Sequence, residues 1–210
     1  AVVLYSVHHW LTGFVYGVYR PFLFYVLYGQ LPANYRFLLL GCLLATEVLV
    51  DYASDYLLFL VQRNIKDRRG VLVLANVFDI LSCACYFFIN EVHWALIFAG
   101  ASLHSLAASM SNGTHRAIVA WWLVETDSTK YREYFLRHRR WYELLGSFCG
   151  ALLGYYVHVH LYDGIFEGVS VLQPLKVGRR HRAVFLVASL VYVLKALVVI
   201  LHPAQKFLLS

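Results

Sequence analysis

Long apolar runs separated by short polar segments dominate the chain. The runs cover, approximately, residues 5–28, 36–61, 71–89, 92–124, 141–161 and 183–201. A helix of about 20 apolar residues is long enough to cross a bilayer. The pattern therefore predicts an all-α fold, a polytopic membrane bundle of about six transmembrane helices, in a single domain of residues 1–210.

The composition agrees with this pattern, since 60% of the residues are hydrophobic and 14% are charged. Soluble domains carry roughly 25% charged residues, so we expect an integral, multi-pass membrane protein with the lipid bilayer as a partner. The net charge of +6 comes from basic residues between the runs, where they orient the helices. A nucleic-acid partner is not expected, because it requires a basic surface on a soluble scaffold. The composition favours the plasma membrane and the mitochondrial inner membrane equally.

An acidic row crosses the second apolar run. Glu47, Asp51 and Asp55 follow one another at four-residue spacing, which places three carboxylates on one face of a helix. A carboxylate in hydrocarbon is costly unless it is paired or hydrated, and such residues usually mark a functional pathway. The row therefore predicts a polar interior in the bundle.

Further charges lie inside the other predicted spans. The candidates for lining or bordering a transport cavity are Arg20, Glu47, Asp51, Asp79 and Arg116. With Asp55, four acids stand against two bases, so at least one acid is expected to face water or take up a proton. That chemistry suits proton coupling. The alternative is that the two arginines only neutralise two acids and lock the helices together.

Small residues repeat at four-residue spacing in two of the predicted spans. The rows are Gly146, Gly150 and Gly154 in the fifth span and Ser105, Ser109 and Gly113 in the fourth. Such rows allow neighbouring helices to approach closely, so that van der Waals contact holds them together in lipid. They predict a tightly packed bundle and favour no particular function.

The histidines and cysteines form no pattern that is typical of a metal site. Cys83 and Cys85 are too close together for the usual zinc pair and have no second pair. His104 and His115 have no same-face partners at two depths, so haem, as in membrane cytochromes, is a minor alternative. We expect no cofactor, no metal and, without a catalytic motif, no enzyme activity.

Two segments resemble the N-terminal half of a major facilitator superfamily transporter. In one branch of that family the second helix reads E-x-P-T-G-x-x-A-D, and here Glu47 and Asp55 have the same separation without the Pro, Thr and Gly. The fourth helix of the branch reads S-G-T-x-x-A, followed by a Gly-rich fifth helix. The corresponding stretch here is Ser111-Asn112-Gly113-Thr114-His115-Arg116-Ala117. The likeness covers roughly residues 36–154.

The resemblance implies a six-helix transporter half that works by alternating access on an unidentified small solute. It implies that Asp55 latches against the other half, with Arg68 or Arg69, on the loop between spans two and three, as its partner. Such transporters place their site between two halves. This chain would then pair with a second copy or another membrane chain, or be a fragment. The alternative function is a non-catalytic membrane subunit of a larger complex, for example a respiratory one.

Overall fold

The computed structural model of the chain describes residues 2–30, 33–62, 68–89, 94–125, 132–161 and 181–201. This part of the chain is helical throughout, which confirms the all-α prediction for the described residues. The helices are α1 (Val2–Gln30), α2 (Arg36–Gln62), α3 (Arg68–Phe87), α4 (Trp94–Glu125), α5 (Arg132–Tyr156) and α6 (His181–Ile200). A 3-10 turn, Ala33–Tyr35, precedes α2, and a π-helical turn, Val157–Leu161, extends α5.

Three helices in the described part are long and apolar enough to cross a membrane. Their apolar segments are Phe37–Tyr56 in α2, Arg69–Phe87 in α3 and Arg182–Ile200 in α6. The other three helices carry more of the tyrosines, serines and histidines of the six helices. A membrane protein with a helical bundle is thus supported, and the count of six spans stays a prediction.

The helices pack in an order that differs from their order along the chain. α1 packs along α5 and against α6, α6 packs on α3, α3 on α4, and α4 on α2. The main core lies where α1, α3, α4 and α6 meet, and its largest buried side chains include Tyr86, Phe185 and Tyr192. α2 stands at the edge, since only 11% of its apolar segment is buried inside the bundle.

Glycines on both partners bring α1 and α5 into close contact. The predicted row of Gly146, Gly150 and Gly154 faces α1, where Gly13 and Gly17 face it in return. A Cβ atom at any of these five positions would collide with the backbone of the opposite helix. The absence of side chains thus lets the two backbones touch, and this contact fixes which residues of α1 and α5 face each other.

One local expectation needs correction. Arg68 and Arg69 lie in the first turn of α3 and not in the loop before it, because the apolar run that follows continues the helix in their direction. α1 continues through Pro21 as one helix, although proline removes one backbone hydrogen bond. The polar segments 63–67 and 162–180, predicted as loops, lie outside the described residues.

Candidate functional site

A polar cavity of about 260 Å³ lies between α1, α3, α4, α5 and α6. It extends from the buried Lys195 to the exposed Asn112. Its walls hold two acids, two bases, one histidine and several hydroxyl groups, together with small and apolar side chains. The lining residues are Thr12, Gly13, Val15, Tyr16, Asp79, His104, Ala108, Ser111, Asn112, Arg139, Glu143, Ser147, Tyr192 and Lys195.

The first polar centre of the cavity is a chain of hydrogen bonds through His104. Its Nδ1–H donates to Asp79 Oδ1 at 2.8 Å, and its Nε2 accepts from the Tyr16 hydroxyl at 2.9 Å. This tautomer follows because an ionised carboxylate only accepts hydrogen bonds. The Tyr19 hydroxyl, which also comes from α1, lies 3.3 and 3.4 Å from the two ring nitrogens. The buried Asp79 carboxylate therefore fixes the orientation of the imidazole.

The second polar centre is built around Glu143 on α5. Its Oε1 accepts a hydrogen bond from Arg139 Nε at 2.7 Å and one from His9 Nδ1 at 2.9 Å. Arg139 Nη2 also donates to Asn112 Oδ1 on α4 at 3.1 Å. Arg139 and Glu143 are one turn apart on α5, which is the spacing that lets an ion pair form on one helix. The centre joins α1, α4 and α5 at the more open end of the cavity.

A third group is Lys195 on α6, which makes no hydrogen bond to either centre. Its side chain is 3% exposed and lines the cavity. Its Nζ lies 5.7 Å from the centre of the Tyr192 ring. The described part of the chain offers this ammonium no hydrogen bond and no carboxylate oxygen within 4.0 Å.

The arrangement can hold a proton and can bind a polar solute. The imidazole of His104 can pass its Nδ1 proton to the Asp79 carboxylate while its Nε2 takes the Tyr16 hydroxyl proton, and the Tyr16 oxygen then regains a proton from the cavity that it lines. Hydroxyl, amide and cationic groups point at the same enclosed space as the apolar side chains of Val15 and Ala108. Such a mixture is typical of a site that orients a small molecule by a few polar groups.

The predicted cavity candidates lie in different places. Asp79 lines the cavity. Arg20 lies beside it, with its guanidinium carbon 4.6 Å from the centre of the Tyr16 ring. Glu47 is half-buried and Asp51 is exposed, and neither α2 acid is among the lining residues. Arg116 belongs to α4, and its side chain lies outside the described residues.

The predicted latch and the small row of α4 also have defined places. Asp55 accepts a hydrogen bond from the buried Ser109 hydroxyl at 2.6 Å, which ties α2 to α4. Arg69 donates from Nη1 to the carbonyl oxygen of Ile200 at 3.2 Å. Ser105 is buried in the same row as Ser109. The side chain of Arg68 and the surroundings of Gly113 lie outside the described residues.

Most of the polar lining was not among the sequence candidates. Glu143 and Arg139 gave a usable signal, namely opposite charges at four-residue spacing. Lys195 gave a second usable signal, because it is a charged residue inside the sixth apolar run. His104 was noted and set aside as a haem ligand, and Tyr16 gave no signal because tyrosine is common throughout the chain.

The described residues contain no group of three or more His, Cys, Asp or Glu side chains that could hold a metal ion. The cavity lining supplies hydrogen-bond donors, hydrogen-bond acceptors and charged groups. Comparison of the chain with family models, with curated proteins and with solved structures gave no match. The function must consequently be argued from the cavity and from the surfaces around it.

Proposed function

We propose that this chain is a transporter-type membrane protein whose cavity binds a small solute and passes it across the membrane by alternating access. One observation carries the proposal. A chamber lined by Asp79, His104 and Lys195 lies in a helical bundle that has three membrane-length apolar helices. Charged groups in such a bundle are costly and usually mark a solute or proton pathway. In this proposal all six helices cross the membrane.

The proposed proton site is the Asp79–His104–Tyr16 chain. It consists of hydrogen-bonded groups that can exchange a proton with the cavity, whereas Asp51 is exposed and is not among the lining residues. The architecture would correspond to one half of a major facilitator transporter. The opposite wall of the pathway would come from a second copy or another membrane chain.

The proposal is tested by reconstituting the protein in liposomes that contain a pH-sensitive dye. A panel of labelled small solutes (organic acids, amines, sugars and amino acids) is offered under an imposed proton gradient. We expect one class to enter together with protons. Asp79→Asn should lower that uptake by roughly tenfold to a hundredfold, since it removes the ionisable carboxylate and weakens its hydrogen bond with His104.

The matched control is Asp51→Asn, which makes the same chemical change at an exposed position of α2 outside the cavity lining. It should keep uptake within about twofold, because surface changes away from a site have small effects. Equal losses in both variants would contradict the proposed proton site. The absence of gradient-driven uptake of any solute in the wild-type protein would overturn the transport proposal itself.

A specific feature of α2 favours a second candidate function, that of a subunit in a larger membrane assembly. Large apolar side chains on this helix are unusually exposed, with Phe37 at 83%, Tyr52 at 81% and Leu49 at 69%. The Asp51 carboxylate lies among them and is also exposed. A lipid-facing carboxylate is costly, so a partner that covers α2 and brings a positive charge would stabilise this face.

The charge on α2 also favours one kind of partner. In a symmetric dimer built on α2, with its two-fold axis along the membrane normal, the two Asp51 carboxylates would lie at the same depth on the two sides of the interface. Like charges at such a distance repel. A different chain with a basic residue at that depth is therefore the partner that this face suits best.

The native mass of the chain, extracted in mild detergent from its own membrane, tests this second function. Wild type and Tyr156→Lys, which adds a charge to an exposed position of α5, should migrate with a large assembly. Asp51→Lys should leave it. A wild-type particle of one or two copies would exclude the subunit function and leave the transporter proposal in place.

A further inference from the structure

We propose that the ligand of the cavity is a small organic anion with a carboxylate head, and that Lys195 binds that head. The inference rests on the proposed solute-binding function and names its substrate class. It starts from the position of Lys195, whose side chain is 3% exposed, lines the cavity and makes no hydrogen bond to the described residues. A buried ammonium without a hydrogen-bonded partner is costly, and an anion in the cavity would lower that cost.

The remaining charged groups of the cavity already have partners. Asp79 accepts from His104, and Glu143 accepts from both Arg139 and His9. The two carboxylates are thus hydrogen-bonded to groups in the walls, and Lys195, which both carboxylates attract electrostatically, is a cavity cation without a hydrogen bond in the described part of the chain. A cationic ligand would be repelled by Lys195 and Arg139, whereas an anionic ligand could bind the Lys195 ammonium without breaking a hydrogen bond of the walls.

The size and the remaining lining set the kind of anion. A cavity of 150 Å³ is known to hold benzene in another protein, so about 260 Å³ accommodates a solute of about ten non-hydrogen atoms. The Tyr192 ring lies next to the ammonium, and Val15 and Ala108 supply further apolar surface to the same cavity. A carboxylate joined to a short apolar group matches both the positive charge of Lys195 and the apolar surface of the cavity. An inorganic anion matches only the charge.

The test measures ligand binding to the full-length protein in detergent, by thermal stabilisation and by calorimetry. The probes are acetate, butyrate and benzoate, with benzamide and benzylamine as neutral and cationic counterparts of benzoate. We expect benzoate and butyrate to stabilise the wild-type protein more than acetate does. Benzamide and benzylamine should have no effect, which tests the charge without any substitution.

Lys195→Met keeps much of the side-chain volume and removes the charge. We expect it to weaken benzoate binding by roughly tenfold to a hundredfold, the usual effect of losing a charge-assisted contact. Lys195→Arg should retain most of the affinity. The control is Arg140→Gln, which removes a positive charge at an exposed position outside the cavity lining and should bind benzoate as the wild type does.

Several outcomes would overturn the inference. They are benzamide or benzylamine binding as tightly as benzoate, no stabilisation by any of the carboxylates, and unchanged benzoate affinity in Lys195→Met. Should Lys195→Met fail to fold, the benzoate and benzamide comparison on wild type decides the matter. Uptake of a cation or a sugar in liposomes would refute the proposal that the ligand is an anion and would support the transport function. Binding of an anion without uptake would refute the transport function and support the proposal that the ligand is an anion.

Discussion

Acidic residues occur in two regions of this protein, and the regions differ in the partners and the exposure of these residues. In the cavity, Asp79 and Glu143 come from different helices and are held by His104, Arg139 and His9. On α2, the acids come from one helix at regular spacing, and Asp51 and Asp55 are exposed. Regular spacing therefore placed carboxylates on one face, and packing of other helices created the polar interior.

The comparison shows what a charged row on a single helix can and cannot establish. The row on α2 puts its members on one side of that helix, but it does not say whether that side faces the bundle or the surroundings. Asp55 reaches the bundle through the Ser109 hydroxyl, and Glu47 is half-buried. The polar chemistry of the bundle gathers instead where five other helices meet.

The largest expected difference between the two regions concerns their glycines. Gly150 on α5 lies against the backbone of Phe14, whereas Gly41 on α2 has open space around it. Gly150→Ala should destabilise the fold by about 1–3 kcal/mol through overpacking. Gly41→Ala should stabilise it by roughly 0.5–1 kcal/mol, because alanine favours a helix more than glycine does.

Thermal denaturation of both variants in the same detergent measures this difference. Opposite signs are the expected result, with Gly150→Ala melting below and Gly41→Ala above the wild type. A neutral Gly150→Ala would contradict the close contact of α1 and α5, and with it the wall of the cavity that this contact builds.

The next largest effect concerns the acids themselves. Asp79→Asn weakens a buried, charge-assisted hydrogen bond to His104 and should lower the free energy of unfolding by about 1–3 kcal/mol. Asp51→Asn should change it by less than about 0.5 kcal/mol in detergent, as is usual for exposed positions. Chemical denaturation in matched detergent compares the two, and a larger loss in Asp51→Asn would reverse the assignment of inside and outside.

The smallest effect concerns two tyrosines. The Tyr16 hydroxyl donates to His104 Nε2, whereas Tyr52 on α2 is 81% exposed. Tyr16→Phe should lower the free energy of unfolding by about 0.5–1.5 kcal/mol and shift the NMR signals of the His104 ring. Tyr52→Phe should leave both unchanged, and identical spectra for the two variants would show that Tyr16 does not bond the imidazole.

Particular residues show which structural features could be predicted from the sequence. The glycine row of α5 was visible as a packing face, since a four-residue repeat lies on one side of a helix. Its partner, α1, was not, because nothing in the repeat says which helix lies opposite. Asp79 was a candidate for lining the cavity because a charged residue inside an apolar run usually marks a functional pathway. The role of His104 is not visible in the sequence, because its partner Asp79 lies 25 residues away on another helix.

The sequence by itself determined the helices, their apolar character and the faces on which acids and glycines fall, because these properties depend on neighbours within one helix. Only the tertiary structure decided which faces meet. Glu143 and His9 are 134 positions apart, and they touch because glycines allow α1 and α5 to come together. Contacts between helices depend on how each helix is rotated and placed, and periodicity along the chain carries no record of either.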